Sequence, residues 1–101
     1  MQHIHWLGTG LSSIPGIRRL AKKYDNLTIW NRTLEKAEQS INHVNKDNVL
    51  AKKFDMQLLS NSVEVGDIVI SQLPANHHLS IAKLCLEKNA ILLQAVIFLL
   101  I

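Results

Sequence analysis

Residues 4–24 read IHWLGTGLSSIPGIRRLAKKY, and the fold turns on whether the glycines in this stretch close a strand and open a helix. IHWLG is a short, mostly apolar run stopped by Gly8, which suits a strand whose end must turn tightly. Beyond it Ile14, Ile17, Leu20, Ala21 and Tyr24 recur at steps of three and four, the period of one helical face. Pro15 fits the first turn, where its missing N–H costs nothing. Gly16 in that turn is mildly unfavourable and points to something approaching the backbone closely.

The same unit recurs along the chain. NLTIW follows an Asp25-Asn26 turn as a second strand, and Thr33 can cap a helix through LEKAEQSINHV with Leu34, Ala37, Ile41 and Val44 inward. A weaker third strand lies near VLAKKFD, followed by a short helical stretch, MQLLSNSVEV, that ends at Gly66. DIVISQLP is a β-branched strand stopped by Pro74, and NHHLSIAKLCLEKN reads as a helix with Leu79, Ala82 and Leu86 on its inner side. Strands alternating with helices through short connections imply an α/β fold: a Rossmann-like parallel sheet of four to five strands with helices on both faces.

The stretch GTGLSS occupies the turn where such a fold carries chemistry. A dinucleotide fingerprint needs one glycine for the tight turn, a second so that the backbone can touch the pyrophosphate, and a small third residue for helix-strand packing. Gly8 and Gly10 fill the first two places and Ser13 the third, and the amides of the first helical turn offer an anion site. An NAD-selective site usually ends its second strand with Asp or Glu, but this chain has Asn31, Arg32 and Thr33 there. Asn31 is uncharged, and Arg32 can pair with a 2′-phosphate through a permanently charged fork, which favours NADP(H). Asp55 can accept from an adenine amino group or serve as a turn aspartate. Gln72, Leu73 and Pro74 follow the fourth strand, on the edge where open α/β sheets hold ligands.

Composition narrows the partners. The 101 residues make one domain at most, and a net charge of +3 is too small to make nucleic acid the expected ligand. The single cysteine, Cys85, cannot form an internal disulfide, and no secretory segment opens the chain, so a reducing cytoplasm is expected. Cys85 reads as an inert packed thiol. His3 and His5 point to one face of the first strand, but two ligands do not close a metal site, and none is expected. His77 and His78 sit at a helix start and read as neutral hydrogen-bonders, with a nicotinamide-side role open for His78. Arg18, Arg19, Lys22 and Lys23 read as the solvated side of the first helix.

With these residues placed, the chain resembles the amino-terminal, nucleotide-binding part of the saccharopine dehydrogenase family, of the glutamate-forming saccharopine reductase type. WLGTGLSSIPGIRRLA, NRTLEKAEQS, FDM, GDIVISQLPANHH and AKLCLEKNA carry the resemblance, in the family's order from about residue 4 to 90. It implies a Rossmann domain over residues 1–90 that binds NADP(H) through Gly8, Thr9, Gly10, Leu11, Ser12, Ser13, Asn31, Arg32, Thr33, Asp55, Gln72, Leu73 and Pro74. Family members reduce the imine formed between a semialdehyde of lysine metabolism and glutamate.

After EKNA the family continues with a strand, a segment resembling HFAPSSYISP and a substrate domain, and this chain departs from it. Residues 91–101, ILLQAVIFLLI, are apolar but too few for a bilayer span, which needs about twenty. They can fill the slot of a fifth buried strand. Under one choice of synonymous codons, restoring a single base converts Ile91 to Leu100 into HFAPSSYISP, so an out-of-frame ending is a second expectation. The chain then reads as an incomplete cofactor-binding unit, inactive alone, or as an NADP(H)-binding module that pairs with a separate substrate-domain chain.

Overall fold

The computed structural model describes residues 2–9, 13–73 and 75–94. Gly10, Leu11, Ser12 and Pro74, all named above as cofactor contacts, lie outside the described residues, as do residues 95–101 of the apolar ending.

Strand β1 (Ile4–Leu7) leads through helix α1 (Ile14–Lys23) to β2 (Leu27–Asn31), and α2 (Leu34–Ser40) leads to β3 (Val49–Lys53). Helix α3 (Met56–Ser62) then precedes β4 (Ile68–Ser71), and a 3₁₀ turn (Ala75–His77) with α4 (His78–Lys88) precedes β5 (Ile91–Gln94). The five strands form one sheet in the order β3-β2-β1-β4-β5, every pair parallel. Ile4 is in register with Leu27 on one side and Ile68 on the other, which makes β1 the central strand. The first turn after β1 therefore sits in the middle of the sheet's carboxyl edge.

Alternation along the strands builds two cores. Ile4, Trp6, Leu27, Ile29 and Ile70 face Ile17, Ala21, Ala37 and Ile41 of the α1 and α2 segments. Leu7, Trp30 and Val69 face Leu59, Val63, Ile81, Leu84 and Cys85 on the other side. Each fully buried Leu or Ile contributes about 1.5–3 kcal/mol, which is what holds two thin helical layers to so small a sheet. Burial also pushes the Cys85 thiol pKa up, keeping it protonated.

Three sequence expectations are corrected. Helix α2 stops at Ser40 instead of running to Val44: Ser40 Oγ donates to Ala37 O and Ile41 N–H to Glu38 O, tightening the last turn. Leu34, expected inward, is 41 % exposed because it opens that helix at the rim of the sheet. Leu79 and Leu86 are each 79 % exposed, and the inner face of α4 is Ile81, Leu84 and Cys85 instead. Both stripes satisfy the helical period, so periodicity alone does not choose between them. Gly16 does have a close neighbour: a Cβ there would sit 3.2 Å from the Trp6 ring, so the approach comes from the core.

A buried polar network ties β1 to its neighbours. The Trp30 indole N–H donates to His5 Nδ1 at 3.2 Å, and an indole can only donate. His5 Nδ1 is therefore the bare nitrogen, and Nε2–H donates to Asp67 Oδ2 at 3.2 Å. Desolvation holds the His5 pKa below its ordinary value, against the opposing pull of Asp67, and desolvation does the same to His3. The unfolded chain therefore takes up protons first as pH falls. Their stabilising contribution is complete above the ordinary histidine value, about 6.5, and is lost as pH drops through the lower folded values. Urea midpoints should fall between pH 7.5 and pH 5.5, and a midpoint constant across that window would contradict the neutral-tautomer assignment.

Candidate functional site

The chain leaves β1 toward β2 on one side and leaves β4 toward β5 on the other, so the strand order reverses between β1 and β4. In open parallel sheets the carboxyl ends at such a reversal border the crevice that takes a ligand. Two loops meet there. Gly8 N–H donates to Trp30 O and Gln72 N–H to Leu7 O, each at 2.8 Å, which extends the ladder to the rim. Gly8 has φ +97°, and a Cβ on it would lie 3.2 Å from the Gln72 carbonyl oxygen. This position therefore requires glycine both for its backbone angle and for the closeness of the opposite loop.

Immediately beyond, the Thr9 Oγ1 is buried with no hydrogen-bond partner among the described residues. A buried hydroxyl without a partner is costly and marks a place where a polar ligand atom would be favourable. Ser13, 4 % exposed, occupies the N-cap of α1 without a side-chain cap bond. The first turn of α1 contains no acidic residue, whereas its last turn carries Lys22 and Lys23. No carboxylate from that turn neutralises the positive end of this ten-residue helix, which suits an anion.

The end of β2 forms the second part of the edge. Asn31 Nδ2 donates to Thr33 O at 3.1 Å, and Asn31 O accepts from Phe54 N–H at 2.7 Å, fixing the loop to the end of β3. Arg32 projects from this fixed loop, exposed and without an ion-pair or hydrogen-bond partner among the described residues. Thr33 occupies the N-cap of α2 but makes no side-chain cap bond. Asp55 is the N-cap of α3: its Oδ1 accepts from Gln57 N–H at 2.9 Å and Leu58 N–H at 3.0 Å. That bonding gives Asp55 a structural duty that composition could not separate from a ligand role.

On the β4 side, Leu73 O accepts from His78 Nε2–H at 3.3 Å, so this imidazole anchors the Gln72-Leu73 loop to the start of α4. The His77 ring meets Phe54 edge-on, with centroids 6.0 Å apart, and links the same helix start to the β3 loop. The described sequence-derived residues thus fall into two groups on one edge. Gly8, Thr9, Ser13, Gln72 and Leu73 lie at β1 and β4, and Asn31, Arg32, Thr33 and Asp55 lie at β2 and β3.

Sequence reading missed a cleft of about 660 Å³ between α1 and α2, with Thr9, Arg18 and Lys36 in its wall. The sequence alone places Arg18 on the solvated basic face of α1. Its position one turn from the helix start was the available signal. On the opposite, amino-terminal part of the sheet a polar cleft is lined by His3, Thr28, Lys52 and Glu64. Among the described residues no group of three or more His, Cys, Asp or Glu is arranged to hold a metal ion, and no helix is long and apolar enough to cross a membrane.

Residues 4–98 match the family described as the saccharopine dehydrogenase NADP binding domain. The chain is 32 % identical over 91 residues to the NADP(+)-dependent, L-glutamate-forming saccharopine dehydrogenase of Schizosaccharomyces pombe, a match covering 88 % of this chain and 20 % of that protein. Its fold is similar to that of the apo, histidine-tagged, L-Glu-forming saccharopine dehydrogenase from Saccharomyces cerevisiae. The TM-score is 0.75 at 24 % identity, over 93 % of this chain and 21 % of that one. The chain thus spans about a fifth of the length of both relatives.

Proposed function

This chain belongs to the saccharopine dehydrogenase NADP-binding domain family, and on that premise we propose that it is an NADP(H)-binding unit serving the reduction of an imine of lysine metabolism. One observation carries the reading more than any other. Gly8, at the head of the sheet's reversal point, lies with its backbone close against Gln72, beside a Thr9 hydroxyl that has no partner among the described residues and a helix start free of acid.

The residues fit the cofactor as follows. The pyrophosphate would rest against the stretch of sequence from Gly8 and Thr9 to Ser13, which includes Gly10, Leu11 and Ser12, and the start of α1 favours negative charge there. Arg32, held out by the Asn31-Thr33 bond, would take the 2′-phosphate. Asp55 caps through Oδ1, leaving Oδ2 for an adenine amino group. Gln72, Leu73 and Pro74 would border the nicotinamide side, with His78 steadying their loop through Leu73 O. NADPH, when bound, supplies the hydride for such a reduction. On this reading the chain supplies the cofactor-binding part of that reaction.

Calorimetric titration of NADPH and NADH into the 101-residue chain tests this. NADPH should bind at least about tenfold more tightly, the worth of one extra charge-assisted contact. Equal affinities, or a preference for NADH, would overturn the assignment.

A further inference from the structure

The sheet has two end strands, and their outer edges differ in charge. β3 carries Lys52 and Lys53, both exposed, and edge lysines are a common guard against the addition of a further strand. β5, at the other end, reads ILLQ and carries no charge. Ile91 N–H donates to Asp67 O at 2.8 Å, toward β4. Alternate residues of an extended strand aim their N–H and C=O groups to opposite sides, so those of Leu92 point away from β4, off the edge of the sheet. Among the described residues no strand pairs with that edge. The side chains alternate as well. Ile91 and Leu93, in register with Ile68 and Ile70, lie on the α1 side of the sheet and are 51 % and 42 % exposed. An apolar cleft of about 560 Å³, bordered by Leu20, Ile70 and Leu93, separates them from α1. Leu92, in register with Val69, packs against the core on the other side.

We propose that this edge is an interface between two copies of the chain, joined by antiparallel pairing of β5 with β5 about a twofold axis at Leu92. A twofold contact brings one strand edge against itself, so the sequence fixes what opposes each residue. With Leu92 facing Leu92, the outward N–H and C=O groups of the two copies are exchanged as one hydrogen-bonded pair. Ile91 of each copy then stands directly across from Leu93 of the other, on the α1 side. Every such pair is apolar, and no like charges meet. The same contact at β3 would gather Lys52 and Lys53 of both copies along one seam. A second copy is the occupant this edge fits, because it satisfies the Leu92 backbone and covers Ile91 and Leu93 in a single contact. The ladder is short, which places the interface among transient ones, below about 1,200 Å². The inference is independent of the cofactor reading.

Sedimentation equilibrium of the full chain from about 5 µM to about 1 mM, a span that brackets transient affinities, tests this. The average mass should rise from that of one chain toward that of two. Leu93→Lys should weaken dimerisation at least about tenfold, because two apolar pairs are lost and a charge enters the seam twice. The double variant Ile91→Lys, Leu93→Lys sets like charges across from one another and should abolish it, whereas Ile91→Glu, Leu93→Lys sets opposite charges across and should restore it in part. A second readout needs no substitution. Amide hydrogen exchange at Leu92 should slow as the concentration of the unaltered chain rises, while exchange at Ile91, already bonded to Asp67 O, should not change. A mass of one chain over the whole range, association that runs past two chains, Leu92 exchange indifferent to concentration, or a dimer that Leu93→Lys leaves intact would overturn the proposal.

Discussion

Gly8→Val is expected to destabilise the chain by about 3 kcal/mol and to abolish NADPH binding. A φ of +97° is one that a side-chain-bearing residue rarely adopts, and holding a non-glycine residue there costs roughly 1–3 kcal/mol. Even the first carbon of a side chain would meet the Gln72 carbonyl oxygen at 3.2 Å, which is backbone and cannot rotate away. A β-branched residue adds overpacking of about 1–3 kcal/mol. Domains of this kind have only about 5–15 kcal/mol in total, so the loss should appear as a large fall in urea midpoint. Gly8→Ala separates folding from binding. It carries most of the backbone strain but only one methyl, and should stay folded at a reduced midpoint while binding NADPH weakly. A Gly8→Val chain with an unaltered midpoint would mean that the two loops are not pressed together.

Arg32→Ala should lower NADPH affinity about 10- to 100-fold and leave NADH affinity within about twofold. A hydrogen-bonded contact to a charged group is worth roughly 1.5–3 kcal/mol, and each 1.4 kcal/mol is a factor of ten. The guanidinium is exposed and makes no bond among the described residues, so its removal should change stability by no more than about 0.5 kcal/mol. Arg32→Lys is not an equivalent replacement, because an ammonium cannot present the planar fork to phosphate oxygens, and partial recovery is expected. Equal losses for NADPH and NADH would assign Arg32 to the shared part of the dinucleotide and remove the basis for cofactor selectivity.

How much of this was legible beforehand follows from the range of each interaction. The strand segments are short apolar runs, and their alternation with helical periods already implied a parallel sheet, as the order β3-β2-β1-β4-β5 shows. Gly8 was legible because a turn and a strand end leave local marks. The inner face of α4 was not, since Leu79, Ala82 and Leu86 match the helical period as well as Ile81, Leu84 and Cys85, and only contact with Leu7 and Val69 decides between them. The end of α2 depends on a serine bonding back to Ala37, which no periodic pattern encodes. His5 joins residues 25 and 62 positions away, Trp30 and Asp67, so its buried tautomer is a product of the fold. The cleft holding Arg18 and Lys36 appears only when α1 and α2 lie side by side on the same face of the sheet.

If the dinucleotide lies across the carboxyl edge at the β1–β4 reversal, backbone amide shifts of the ¹⁵N-labelled chain during NADPH titration will map it there. The largest saturable shifts are expected at Gly8, Thr9, Ser13, Asn31 to Thr33 and Gln72. Shifts concentrated at the opposite edge, around His3, Asn48 and Asp67, or none at millimolar NADPH, would contradict it.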